Sequence, residues 1–196
     1  KGKSRIGWER LRAGRFARQK QPGIVAANTK LTEPLPETYQ WDTLSAADKD
    51  RFDTIMAVYA ATISRMDQPI GDLVAQLKAS GQYDNTLVLF LSDNGGNAES
   101  GPDGRLEGKS KPGGPASTVW AGLNWATLQN TPFRYFKHYI EEGGIATPLI
   151  AHWPKGIDPR PNGTMVRDPG HLIDVMPTLV ELSGASYPAR FNGHAC

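Results

Sequence analysis

Apolar residues recur at three- and four-residue intervals through Phe52, Ile55, Met56, Tyr59, Ile63, Met66, Ile70, Leu73, Val74 and Leu77. This spacing predicts one long amphipathic helix. Ser45 with Asp48 in the first turn marks its start, and Gly81 marks its end. The period then changes. Thr86-Leu87-Val88-Leu89-Phe90-Leu91-Ser92 carries no charge and predicts a strand buried on both faces, as in a parallel sheet. Thr147 to Trp153 predicts a second strand, ended by Pro154. Residues 4–20 predict a short helix that turns Ile6, Trp8, Leu11 and Phe16 inward. Val175 to Ser183 predicts another, capped by Asp174 and stopped by Gly184, with Pro177 tolerated in its first turn. Residues 21–44 are rich in Pro and Gly and predict an extended connection, while residues 97–130 lack periodicity and predict a long functional or mobile loop. Helix followed by strand points to an α/β fold, a three-layer sandwich with a mainly parallel sheet or part of one.

Composition narrows this picture. The chain has 196 residues, 39% hydrophobic and 21% charged, which suits one globular domain with a real core. A formal charge of +2 argues against a nucleic-acid partner. The first twenty residues are locally basic, with Lys1, Lys3, Arg5, Arg10, Arg12, Arg15, Arg18 and Lys20 against Glu9, and predict a solvated helix face. Cys196 is the sole cysteine, so neither a disulfide framework nor a cysteine metal site is expected. No apolar run approaches transmembrane length, so no transmembrane segment is expected. The chain opens mid-pattern and stops at Asn192-Gly193-His194-Ala195-Cys196 without a closing element, so both ends are expected to be cut.

Asp93-Asn94-Gly95-Gly96 follows the first apolar strand. The carboxyl ends of strands are where α/β sheets bind ligands. Two adjacent oxygen-bearing side chains on a sharp turn suit calcium or magnesium. The same four residues are also ordinary turn chemistry, and both readings stay open at this point. A second constellation joins Asn130-Thr131-Pro132-Phe133-Arg134-Tyr135-Phe136-Lys137 to Glu141-Glu142-Gly143-Gly144-Ile145. Lys137 beside a metal loop would neutralise an anionic oxygen. Alternatively Arg134 and Lys137 are surface residues next to a glycine turn. Trp120 and Trp125 either line a cleft or pack down the loop. His152 and His171 read as structural, His138 as a surface residue near the site, and His194 has no assigned role.

The ordered set of segments resembles a type I sulfatase of the arylsulfatase group, within the alkaline phosphatase-like superfamily. The segments are Gly7-Trp8-Glu9-Arg10-Leu11-Arg12, the helix from Val58-Tyr59-Ala60-Ala61 to Arg65-Met66-Asp67, and Asp84-Asn85-Thr86 running into Ser92-Asp93-Asn94-Gly95. Asn130 to Arg134 with Lys137, Glu142 to Pro148, and His171-Leu172-Ile173-Asp174 with Pro177-Thr178 complete it. The resemblance implies an alkaline phosphatase-like fold in which Asp93 and Asn94 are metal ligands, usually to calcium, and Lys137 contacts the sulfate. It implies a sulfate ester substrate, an aryl sulfate or a sulfated carbohydrate, attacked by a formylglycine nucleophile. The Cys/Ser-x-Pro-x-Arg motif that yields that nucleophile is absent, and Cys196 cannot serve. Residues 1–196 are therefore expected to be the C-terminal portion of a sulfatase catalytic domain, inactive alone, with unpaired apolar sheet edges. A periplasmic or secreted location is the expectation the resemblance carries. A phosphonate or phosphate monoester hydrolase of the same superfamily, or a non-catalytic cation- and anion-binding module, are the rival readings. Asn97 stands where related sequences often carry Cys, and Glu141 where His or Tyr is common, which leaves the substrate contacts there open.

Overall fold

The computed structural model describes residues 1–159 and 163–195; Cys196 lies outside them. Contacts divide the chain into two compact units, Lys1–Asp158 and Pro159–Cys196.

The first unit begins with α1 (Trp8–Lys20) and a 3₁₀ turn at Trp41–Thr43, followed by α2 (Ala46–Ala79). Ser45 caps α2 as its sequence predicts, accepting the Asp48 N–H at 3.1 Å. Strands β1 (Val88–Leu91), β2 (Arg105–Gly108) and β3 (Ser117–Trp120) come next, then α3 (Gly122–Gln129), the single turn α4 (Glu142–Ile145) and β4 (Leu149–His152). Trp8, Trp41, Phe52, Ile55, Trp125 and Leu128 form the main core. Trp8 sits at its centre, meeting Trp41, Phe52 and Trp125 edge-on at 4.8, 5.1 and 5.3 Å between ring centres. Edge-on geometry places the positive ring edge against the negative ring face. Burying indole also requires a partner for its N–H. Trp8, Trp41 and Trp125 donate to the carbonyls of Tyr39, Arg5 and Phe52 at 2.9, 3.1 and 3.1 Å.

Only the first turns of α2 reach this core, through Phe52, Asp53 and Ile55. Further along, Tyr59, Ile63, Met66 and Leu73 are exposed. At 34 residues the helix runs about 51 Å and extends beyond the aromatic cluster.

Four sequence expectations need correction. The basic face of α1 is not simply solvated. Arg12 is buried, donating to the Thr32 carbonyl and hydroxyl and to the carbonyls of Pro132 and Phe133. Arg15 donates to the Leu128 and Gln129 carbonyls, and Gln19 to that of Thr131. Desolvation lowers both guanidinium pKa values, yet arginine stays charged and satisfies several carbonyls at once. Second, residues 97–130 are not a bare loop. They hold the β2–β3 hairpin and α3, whose residues Gly122 to Leu128 are all buried. A helix covered all round shows no one-sided apolar period, which is why pattern reading missed it.

Third, the sheet is not mainly parallel. β1 and β4 pair antiparallel, Val88 opposite His152 and Leu91 opposite Leu149. The reason is local: the chain between these strands closes back on the end of β1, so β4 starts beside the point where β1 stops. Thr147 Oγ1 donates to the Ser92 carbonyl at 2.7 Å. Fourth, β1 is not buried on both faces. Among the described residues each sheet has two strands, and Phe90, Leu149 and Ile150 are exposed. An apolar run records a capacity for being covered, while the covering depends on neighbouring layers, and among the described residues the sheets are two-stranded and antiparallel, without a mainly parallel three-layer sandwich.

The second unit, taken by itself, holds a 3₁₀ turn at Leu172–Asp174, α5 (Val175–Ser183) and a short ribbon of β5 (Arg190–Phe191) with β6 (His194–Ala195). Gly184 ends α5 in the left-handed conformation at φ 70°. Asp174 precedes the helix as expected, but its carboxylate accepts the His171 N–H at 2.7 Å, while His171 Nδ1 accepts from Ile173. His171 is thus a capping residue.

Candidate active site

Four glycines explain why the two sequence constellations meet. Gly95 N donates to Gly144 O at 3.0 Å, and Gly96 N to the Asn130 side-chain oxygen at 2.9 Å. Asn130 Nδ2 in turn donates to Tyr135 O at 2.9 Å. Lys137 N donates to Gly96 O at 3.1 Å and Gly143 N to Arg134 O at 3.0 Å. Loop 92–97, the Asn130–Lys137 segment and α4 are therefore one hydrogen-bonded joint. A methyl group on Gly95 would collide with the Gly143 carbonyl, one on Gly143 with the carbonyls of Arg134 and Tyr135, and one on Gly144 with that of Tyr139. These glycines are required by close backbone approach and not by a left-handed φ.

Left-handed backbone occurs elsewhere in the joint, at Tyr135 (φ 64°) and His138 (φ 82°), where a side chain makes it costly. The two positions bracket Phe136, which is buried, and Lys137, which is half-buried. Phe136 anchors the segment in a small cluster with Leu123 and Ala126. Tyr135 and Tyr139 stack at 4.3 Å beside it. Lys137 Nζ lies 2.9 Å from Glu99 Oε1, and His138 Nε2 stands 2.6 Å from the same oxygen. Hydrogen bonds from Lys137, then His138 and Asn97, draw the Glu99 carboxyl down to about 2.

Asp93 is exposed, and its carboxylate takes no hydrogen bond or ion pair among the described residues. Asn94 donates its Nδ2 to Gly95 O at 2.8 Å, which leaves Oδ1 as a free acceptor. Two oxygen donors at the end of β1 fit one side of a calcium or magnesium ion, which takes six or more oxygens. No group of three or more His, Cys, Asp or Glu residues converges among the described residues. The remaining ligands are not supplied there by this set.

Sequence reasoning thus named Asp93, Asn94 and Lys137; the structure bonds Lys137 to Gly96 of the loop that carries Asp93 and Asn94, while Asp93 itself makes no bond into the joint among the described residues. It missed Glu99, which carried no signal in a polar loop, and the pivotal role of Asn130, legible only as the first letter of a motif. Trp125 belongs to the core, while Trp120 stays at the surface beside Arg105. A groove of about 720 Å³ between α2 and the 112–113 turn is lined by Val58, Ala61, Arg65 and Met66 and contains none of the site residues. Its walls lack the paired oxygens and the ammonium, so the joint is the better candidate. His152, the last residue of β4, lies with its ring tilted 34° to that of Tyr83, the centres 4.8 Å apart.

Residues 22–185 match the Sulfatase family model. The chain belongs to the sulfatase family, whose fold is the alkaline phosphatase-like α/β fold. It is 32% identical to an uncharacterized sulfatase of Schizosaccharomyces pombe over 98% of this chain and 37% of that protein. It is 34% identical to an arylsulfatase of Klebsiella aerogenes over 94% of this chain and 41% of that protein. A steryl-sulfatase of Mus musculus is 32% identical over 69% of this chain and 18% of its own length. The chain therefore spans about two fifths of the first two relatives. No helix among the described residues is long and apolar enough to cross a membrane.

Proposed function

We propose that this chain is the C-terminal portion of the catalytic domain of a sulfuric ester hydrolase, contributing the cation side and one anion contact of its active site. The observation that carries this reading is the joint itself. Asp93-Asn94-Gly95-Gly96 and Asn130–Lys137 lie 34 residues or more apart in sequence, yet Gly96 binds both Asn130 and Lys137. Family membership supports sulfate esters as the substrate class, either aryl sulfates or sulfated carbohydrates.

In this reading Asp93 and Asn94 hold a calcium or magnesium ion, which when bound supplies charge stabilisation to the sulfuryl oxygens. A formylglycine from a segment outside this chain is the nucleophile. Lys137 directs its ammonium at a sulfuryl oxygen and stabilises the charge that builds there. The backbone bond from Lys137 to Gly96 keeps that ammonium in register with the cation loop.

The test is substitution in the full-length polypeptide that carries these residues. Asp93→Ala is expected to remove the bound cation, read by elemental analysis, and to abolish hydrolysis of an aryl sulfate. Retained calcium would defeat the ligand assignment. Lys137→Ala is expected to lower turnover by about 10²–10³-fold, the scale of one lost charge-stabilising donor. The purified 196-residue chain is expected to show no hydrolysis.

A further inference from the structure

Glu99 holds together the basic side chains that the site would present to an anion. Its Oε1 accepts from Lys137 Nζ at 2.9 Å and stands 2.6 Å from His138 Nε2. Its Oε2 accepts from Asn97 Nδ2 at 3.1 Å. An ammonium, an imidazole and a carboxamide N–H therefore converge on one pair of oxygens. A sulfuryl group presents oxygens of the same charge and acceptor character.

The donors are held from behind. Asn97 Oδ1 accepts the Glu99 N–H at 2.7 Å, Lys137 N is bonded to Gly96 O, and His138 is fixed in a left-handed conformation next to the Phe136 anchor. The Glu99 side chain has no such support. It lies at the surface, and among the described residues its hydrogen bonds all run through the carboxylate tip. Donors carried on a hydrogen-bonded backbone thus face a carboxylate whose side chain is anchored only at its tip.

We propose that Glu99 is an internal counter-ion that occupies the anion seat of Lys137, His138 and Asn97 until the sulfate group of a substrate displaces it. This rests on the assignment of Lys137 to the sulfate. Glu99 is then the residue that sets the affinity of the seat. It keeps Lys137 in place while the site is empty, and it makes every anionic ligand part a surface ion pair before binding. A neutral ester has no charge with which to do so.

The experiment uses the full-length polypeptide, with inorganic sulfate as a competitive inhibitor of aryl sulfate hydrolysis. Glu99→Gln removes the charge and keeps the shape. The inhibition constant for sulfate and KM are expected to fall together by about two- to fivefold, the worth of one surface ion pair. Calorimetric titration with inorganic sulfate gives the same comparison without turnover. Constants that stay unchanged or rise overturn the proposal. Glu99→Asp, one methylene shorter, is expected to shift both constants in the same direction and serves if the Gln variant does not accumulate. Lys137→Ala separates this inference from the reading beneath it. If it leaves sulfate inhibition and turnover intact, the assignment of Lys137 itself falls. If it abolishes inhibition while Glu99→Gln changes nothing, only the counter-ion falls.

Discussion

The tryptophan cluster and the glycine joint lie in the same compact unit but are held together by different forces. In the cluster, Trp8, Trp41, Phe52 and Trp125 remove large apolar surfaces from water, and each indole N–H then finds a carbonyl. In the joint, Gly95, Gly96, Gly143 and Gly144 bring backbones close enough that peptide groups bond directly. The cluster depends on volume, and the joint on the absence of side chains. Stability therefore concentrates in the first region, while the placement of chemical groups concentrates in the second. Arg12, Arg15 and Gln19 of α1 link them, because their side chains cap carbonyls of residues 128–133 between core and site.

This contrast can be broken in order of expected effect. Trp125 is fully buried, so Trp125→Ala should cost about 3–5 kcal/mol of stability, read from the chemical denaturation midpoint. An unmoved midpoint would mean that the cluster is not the main core. Gly95→Ala should act the other way round. Its new methyl group meets the Gly143 carbonyl and pushes loop 92–97 from Lys137. In the full-length polypeptide turnover should fall by about 10²-fold, the usual result of a displacement near 1 Å. Tryptophan fluorescence should stay native-like, and wild-type kcat/KM in this variant would show that the joint yields freely.

The smallest effect concerns pH. The Glu99 carboxyl is held at about 2, below its ordinary 4.5. A depressed carboxyl stabilises the folded state fully above pH 4.5, and the contribution fades as pH falls toward 2. Because the pair is at the surface, salt should weaken it further. The stability gap between wild type and Glu99→Gln should therefore shrink between pH 5 and pH 2. A gap that widens on acidification would contradict the ion pair.

Legibility differs between the two regions for the same physical reason. Phe52 and Ile55 were readable as core because they recur at helical spacing, and the α2 cap at Ser45 and the α5 stop at Gly184 were readable because single residues dictate them. Trp125 was not readable, since its helix is buried on every side and shows no period. Nor was the exposure of Phe90, because an apolar strand looks the same whether or not a second layer covers it.

By itself the sequence determined the elements with strong local signals, the family's ordered motifs, and the identities of Asp93, Asn94 and Lys137 as candidates. Local steric preference and periodicity act over a few residues, so they are written in consecutive letters. Tertiary structure alone decided that β1 and β4 run antiparallel, that Arg12 turns inward, and that Asn130 and Gly96 bond the two motifs into one joint. It also decided that Glu99, forty residues or so upstream of Lys137 and His138, stands between them. Contacts of that separation depend on how the whole chain closes, and no short window of residues contains them.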